Sequence, residues 1–376
     1  MPPHEPRTPR LNARFFFGQG WPYLLAPFIP LAIVLDQAGA DEALVFFTSA
    51  LGIVPTAALM GRATEELASR SGPGIGGLLN VTFGNAPELI IALFALGEGL
   101  HEVVKATLIG SIIGNILLVL GASMVVGGWG RPQQHFNATS ASVQSSMLLV
   151  ATAAFTMPAV FQLVQGEGLP TVGPELFEFG STIEVLSGLI AGLLIVVYAA
   201  GLYFSLKTHR DVFNPPYEQE DTWGWSARTS VLMLAIAGVA VAVMSEVLVG
   251  SIGAASESLG LSEFFIGAIV VAIVGNAAEH WVAVLVAYKN KMDLAVNIAI
   301  GSGAQVALFV APILVLAGFF IGPAPLPLVF NGFEVGALVL AVLIANYVSH
   351  EGQSTWFEGV QLLAVYVMLA IVFGFA

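Results

Sequence analysis

Two five-residue strings constrain this chain more than anything else in it: Gly84-Asn85-Ala86-Pro87-Glu88 and Gly275-Asn276-Ala277-Ala278-Glu279. Each places one carboxylate in the middle of an apolar run. An ionised Glu surrounded by hydrocarbon is disfavoured by several kcal/mol and needs a partner, water or a proton. Within each string the amide and the carboxylate stand three residues apart, so on a helix they share a face. The strings are 191 positions apart. The same offset relates Glu66 to Glu257, Ser71 to Ser262, Gly76 to Gly267 and Gly110-Ser111 to Gly301-Ser302. The register holds without a gap from Glu66 to Val119, whose counterpart is Val310; this is an internal duplication. One buried Glu paired for packing is a common accident of a core, but recurrence at a fixed offset is not.

Composition settles where such a pair can live. Of 376 residues 57% are apolar and only 10% charged, with a mean hydropathy of +0.86, whereas a soluble chain carries roughly 25% charged residues. Apolar runs of about 20 residues recur from end to end, which predicts an all-α polytopic membrane protein. There is no period-2 alternation to suggest a membrane barrel. Cysteine is absent, which removes disulfides, thiolate metal sites and Cys nucleophiles. Any metal site must use oxygen or imidazole, which suits hard divalent cations.

Residues 1–14 read as a cytoplasmic tail, and residues 15–36 as an extra spanning helix with no echo in the second half. No clear cleavage site argues for its removal. Further spans are expected at roughly 42–62, 74–97, 104–127, 139–165 and 182–206, then 229–251, 263–288, 293–320, 327–348 and 355–375. The count is about 11 helices: one extra, a first five-helix repeat at 37–206, a linker at 207–228, and a second five-helix repeat at 229–376.

The positive-inside rule orients them. With the amino terminus cytoplasmic, Arg7, Arg10, Arg14, Arg62, Arg70, Arg131, Lys207, Arg210, Arg228, Lys289 and Lys291 all fall inside, and of the 12 Lys and Arg only Lys105 falls outside. The carboxyl terminus is then external. Acidic side chains including Asp36, Asp41, Glu98, Glu175, Glu178 and Glu257 collect at the outer face, where they raise the local cation concentration. An odd number of spans per repeat makes the second copy enter the membrane from the opposite side. Inverted repeats meeting at the midplane are a transporter architecture. Pro87 lacks a backbone donor and predicts a break in the third span just before Glu88. Ala278 stands at the equivalent place in the eighth span, so a break there is weakly signalled.

Taken together, Gly-Asn-Ala-Pro-Glu-Leu at 84–89 and Gly-Asn-Ala-Ala-Glu-His at 275–280 resemble the paired signature motifs of calcium/proton antiporters, the proton-coupled branch of the cation/calcium exchanger superfamily. Thr64–Gly72, Gly110–Gly121, Glu257–Gly267 and Gly301–Gln305 support the resemblance, which covers nearly all of the chain after about residue 40. Gly-Asn-Ala before the acid sets it apart from sodium/calcium exchangers, where Gly-Thr-Ser is usual.

The resemblance implies that Glu88 and Glu279 bind a divalent cation or protons alternately, flanked by Asn85 and Asn276 beside Gly84 and Gly275. Ser111, Ser302, Asn115 and Gln305 match polar residues of neighbouring repeat helices, although small hydroxyls also serve simply to join helices. Glu66 and Glu257 match acids lining access paths, and Glu246 a further acid on the seventh helix. His280 sits beside Glu279 in sequence but 100° around the helix, a place from which it could tune that carboxylate. Glu334, at the start of the tenth helix, is left out of the site.

The expected activity is exchange of calcium, or a similar divalent cation, for protons across a bacterial inner membrane, without a cofactor and without a nucleic-acid partner; a homo-oligomer is compatible with the sequence. A sodium-coupled, manganese or magnesium exchanger and a passive cation channel are the alternatives. An intramembrane enzyme is disfavoured, because neither paired Asp nor HExxH is present.

Overall fold

The structure is a computed structural model and describes residues 20–172, 181–209 and 223–376. The tail at 1–14, Arg210, Glu175 and Glu178 lie outside the described residues.

Among the described residues thirteen helices carry the fold: α1 (Trp21–Gln37), α2 (Glu42–Arg70), α3 (Gly72–Gly84), α4 (Ala86–Gly97), α5 (His101–Gly128), α6 (Ala138–Val164), α7 (Thr182–Thr208), α8 (Ala227–Gly250), α9 (Ile252–Leu259), α10 (Glu263–Tyr288), α11 (Met292–Ala317), α12 (Gly332–Glu351) and α13 (Trp356–Gly374). Among the described residues nine helices are long and apolar enough to cross a membrane. The pair α3 and α4 makes a tenth, bent span, and α1, where the sequence predicts the extra spanning helix, is a shorter apolar helix. The chain is an all-α, polytopic membrane protein. Two dipeptide strands, β1 (Gln134–His135) and β2 (Gln353–Ser354), pair antiparallel and tie the loop after α5 to the α12–α13 turn.

α2 is 67% buried and its counterpart α8 only 28%, but two other pairs follow the duplication: the spans α5 and α11 are each 78% buried, whereas α7 and α13 are each 22% buried. α5 and α11 form the centre of the bundle. α7 and α13 face lipid, as the exposed stripe of Leu189, Leu193 and Val196 on α7 shows. Helix contact in a bilayer gains little from the hydrophobic effect and relies on close packing of small residues, which the alanine- and glycine-rich α5 and α11 supply.

The third span breaks where Pro87 places it. α3 ends at Gly84, α4 begins at Ala86 with Pro87 in its first turn, and the two axes differ by 41°. α10 runs unbroken through Gly275, because Ala278 keeps the backbone donor that Pro87 lacks. Single turns of wider π geometry interrupt α5 at Gly114–Val119 and α11 at Val306–Val310. Such bulges gather at functional positions, and here they adjoin Asn115 and Gln305.

The seventh span is also interrupted. α8 ends at Ser251, whose hydroxyl donates to the carbonyls of Val247 and Leu248. The short α9 follows and stops at Gly260, which adopts φ +66°, the left-handed conformation that ends many helices. Glu334 caps its own helix: it exchanges hydrogen bonds with Asn331 at 2.8 and 2.9 Å in a capping box.

Candidate cation site at the crossing of the repeats

The two signature strings meet. The break at Asn85 places Glu88 in the first turn of α4, at the positive end of its dipole, and α10 carries Glu279 across from it. A Cβ built on Gly84 would lie 3.6 Å from Glu279 Oε1, and one built on Gly275 would lie 3.6 Å from Glu88 Cγ. Each acid therefore lies over the other string's glycine. Those distances are ordinary contacts, so the glycines answer to the space they leave beside each carboxylate rather than to a clash.

The hydroxyls repeat the pattern. Ser302 Oγ donates to Asn85 Oδ1 at 3.1 Å, and Asn276 Nδ2 donates to Ser111 Oγ at 3.3 Å. Asn85 and Asn276 are counterparts, as are Ser111 and Ser302. When equivalent residues contact each other's counterparts, the arrangement has a two-fold axis, and this one passes through the acid pair.

The symmetry is imperfect in a chemically useful way. Ser302 Oγ also reaches Glu279 Oε2 at 3.3 Å and accepts from Asn115 Nδ2 at 3.4 Å. Asn85 Nδ2 donates to Gln305 Oε1 at 2.6 Å. Asn276 donates back to its own helix, at the Ala272 carbonyl, 2.9 Å away. The structure thus brings Glu88, Glu279, Asn85, Asn276, Ser111, Ser302, Asn115 and Gln305 into one cluster, with Gly84 and Gly275 at its crossing. Glu88 is 4% exposed and Asn115 fully buried, while Glu279 keeps partial contact with the surroundings.

This cluster is short of donors. Glu88 Oε2, Asn115 Oδ1 and Asn276 Oδ1 are buried without a hydrogen bond, and each such acceptor costs about 1–3 kcal/mol. Among the described residues no Lys or Arg pairs with either glutamate, and no three His, Cys, Asp or Glu side chains group together. The cluster offers two carboxylates with amide and hydroxyl oxygens, the hard-donor set that calcium selects.

The four residues expected along proton or access paths fare differently. Glu66 is 1% exposed and fully engaged: Arg62 pairs with it at 3.1 Å, Trp225 N donates to it at 3.0 Å, and Trp223 N donates to its other oxygen. It ties the end of α2 to the chain entering α8, and Arg62 stacks over Trp223, 4.6 Å from its centroid. Arg62 lies one turn before Glu66, a spacing that signals an ion pair in the sequence. The tryptophan amides carry no such signal. Its counterpart Glu257 is exposed on α9, and Glu246 is exposed near the end of α8. His280 buries an unpartnered Nε2 among these helices. The neighbouring Trp281 meets Trp21 of the extra helix edge to face at 5.9 Å.

A helical bundle with broken and bulged spans around a paired-acid site at a two-fold axis is the frame of a secondary transporter. Comparison with known proteins gives the family. Residues 42–207 and 229–375 match the sodium/calcium exchanger protein family, and the chain belongs to it. It is 45% identical over 355 residues to the Ca(2+)/H(+) antiporter ChaA of Bacillus subtilis, covering 93% of this chain and 97% of that protein. It is 44% identical over 374 residues to a Ca(2+)/H(+) antiporter of Synechocystis, covering 94% and 96%. The solved structure of native YfkE superposes with a TM-score of 0.79 at 41% identity, over 94% of this chain and all of that one.

Two outcomes test this geometry. Ser302→Ala removes a hydrogen bond to a carboxylate whereas Ser111→Ala removes one between neutral groups, so Ser302→Ala raises the half-saturating cation concentration by about tenfold or more and Ser111→Ala by less. Equal effects would contradict the asymmetry. Glu66→Ala strands two backbone donors and lowers stability by about 3 kcal/mol, read as a fall in melting temperature in detergent; an acid that merely faced a water-filled path would leave it unchanged.

Proposed function

We propose that this chain is a secondary active transporter that exchanges calcium for protons, with the two substrates competing for Glu88 and Glu279. The observation that carries the reading is the reciprocal seating of the two acids, each across from the other's glycine, with acceptor oxygens around them left unpartnered. The high identity to proteins named Ca(2+)/H(+) antiporters supports the choice of substrates.

In this reading Glu88 and Glu279 hold the cation. Asn85, Asn276, Asn115, Ser111, Ser302 and Gln305 supply or orient the remaining oxygens. With the site empty and both acids ionised, two negative charges share one buried pocket, a state disfavoured by repulsion and desolvation. A divalent cation neutralises them, and so do protons. The carrier therefore reorients when loaded and resists reorientation when empty, which couples the two flows without a cofactor. The two five-helix repeats, 37–206 and 229–376, are joined by the linker at 207–228, and the second and seventh helices move against the remaining core to open one side at a time. The basic face that carries Arg62, Arg70, Lys289 and Lys291 is cytoplasmic, with the amino terminus inside and the carboxyl terminus outside a plasma membrane. The exposed Glu246 and Glu257 serve as cation-attracting groups at the surface rather than as ligands, and His280 as a neighbour that shapes the field at Glu279.

Reconstituted in liposomes, the wild-type chain is expected to release protons when calcium is added and to take up calcium against a pH gradient, with sodium unable to substitute for protons. Glu88→Gln or Glu279→Gln abolishes both movements; robust exchange by either variant would refute the assignment. Because protons compete for the same oxygens, the calcium concentration for half-maximal flux rises as the pH on the calcium side falls. A half-saturation indifferent to pH would mean separate sites, and calcium leakage without proton movement would mean a channel.

A further inference from the structure

α11 carries polar residues one helical turn apart. Asp293 is followed by Asn297 and later by Gln305, and Gly301 occupies the turn between the last two. Residues four apart stack one above the other on a helix, about 6 Å per step, and such a row winds about 40° at each step. The turn without a side chain is filled from the neighbouring helix: the atoms nearest a Cβ on Gly301 all belong to the Gln144 amide of α6, at 3.3 to 3.7 Å. Each rung is tied in. Asp293 is exposed beside Lys291, and Asn137 N donates to its carboxylate. Asn297 Oδ1 accepts from Ser140 Oγ at 3.0 Å and from Gln144 Nε2 at 3.1 Å. Gln305 Oε1 accepts from Asn85 Nδ2, and Asn85 leads through Ser302 to Glu279 Oε2. The row therefore runs from a surface carboxylate to a carboxylate of the site.

Two observations set this row apart from plain glue between α6 and α11, a duty that polar side chains often serve in membranes. Gln144 Oε1 is buried without a hydrogen bond, so half of that amide is not spent on joining the helices. The offset of 191 gives the row's counterpart on α5 as Glu102, Ala106, Gly110 and Gly114. It keeps the terminal acid and loses every amide. It packs against the backbone of α10 instead: a Cβ on Gly110 would lie 2.0 Å from the Ala268 carbonyl oxygen, and one on Gly267 would lie 3.0 Å from Ala106 Cβ. A central helix of this bundle is thus held along the same row without amides, and only the α11 copy is polar.

We propose that the row Asp293, Asn297, Gln144 and Gln305 is a proton route between the face carrying Lys289 and Lys291 and the paired acids, and that the cation does not travel along it. Steps of about 6 Å suit polar atoms bridged by one water, at about 2.8 Å per hydrogen bond, and amides offer both donors and acceptors to such waters. The waters carry the proton, and the amides order them. The row itself holds no carboxylate between Asp293 and the site. A divalent cation passing Gly301 would exchange its water for neutral amides alone, without the negative charge that offsets dehydration. With separate ways, protons displaced from Glu88 and Glu279 do not meet the arriving cation head on, an encounter that repulsion between like charges disfavours in a narrow passage.

The route rests on the calcium-for-proton reading, and two fluxes measured in liposomes keep the two tests apart. One is calcium uptake driven by a proton gradient. The other is exchange of labelled for unlabelled calcium, which loads the site with cation in both directions and moves no proton. Gln144→Leu keeps the volume and removes the amide. It is expected to slow proton-driven uptake about tenfold or more, while calcium-for-calcium exchange and the melting temperature hold. Gln144→Ser loses the same hydrogen bond to Asn297 but leaves room for water, and it keeps both fluxes. If the row were glue, the Leu and Ser variants would behave alike; if it carried the cation, Gln144→Leu would lose both fluxes. Either result, or wild-type proton-driven uptake by Gln144→Leu, overturns the proposal. Should Gln144→Leu fail to fold, Gly301→Ala narrows the row from the other helix, and undiminished proton-driven uptake by that variant is equally contrary. A wild-type chain without proton-driven uptake strikes the transport reading, and the route with it.

Discussion

Two acids buried at one crossing, with too few donors of their own, are the constraint to which the rest of this molecule answers. Among the described residues no lysine or arginine neutralises Glu88 or Glu279, and the nearest amides and hydroxyls are already shared among themselves. The deficit is charge that the chain itself does not supply. In the proposed exchange that deficit is met by positive charge that comes and goes. A protein selected only for stability would have paired these carboxylates or replaced them with apolar residues. In the proposed exchange the unsatisfied site is the working part, and the surrounding helices keep it intact.

The duplication explains how such a site is built economically. One segment that ends in an amide and an acid cannot surround a cation; two copies facing each other can. The crossing places each acid over the glycine of the other copy, and each asparagine beside the serine of the other copy. The departures from symmetry then assign different tasks. Pro87 breaks one segment while Ala278 leaves the other continuous, Gln305 has no counterpart, and Ser302 reaches a carboxylate where Ser111 reaches only an amide.

Much of this was legible in the sequence because its causes are local or repeated. The spans show as apolar runs, the break as a proline, the site as a string occurring twice, and the Asn–Ser pairing as residues sharing one offset. What was hidden depends on contacts between distant segments. Glu66 resembles an acid lining a path, yet it is consumed by Arg62 and by the amides of Trp223 and Trp225, about which its counterpart Glu257 says nothing. The interruption at Ser251 leaves no mark in the sequence, because a hydroxyl turning onto its own helix is a habit serine shows in many uninterrupted helices. The tie between Asn85 and Gln305 follows from the packing of α4 on α11, and the duplication could not reveal it because Gln305 faces a glycine in the other copy.

The central claim is that cation and proton are alternative occupants of the same two carboxylates. Purified protein in weakly buffered detergent, titrated with calcium while the pH is recorded, tests it without transport. The account predicts that calcium binding expels protons in wild-type protein and that Glu88→Gln together with Glu279→Gln removes both the binding and the proton release. Calcium binding that releases no protons over the working pH range, or that survives the loss of both acids, would contradict it.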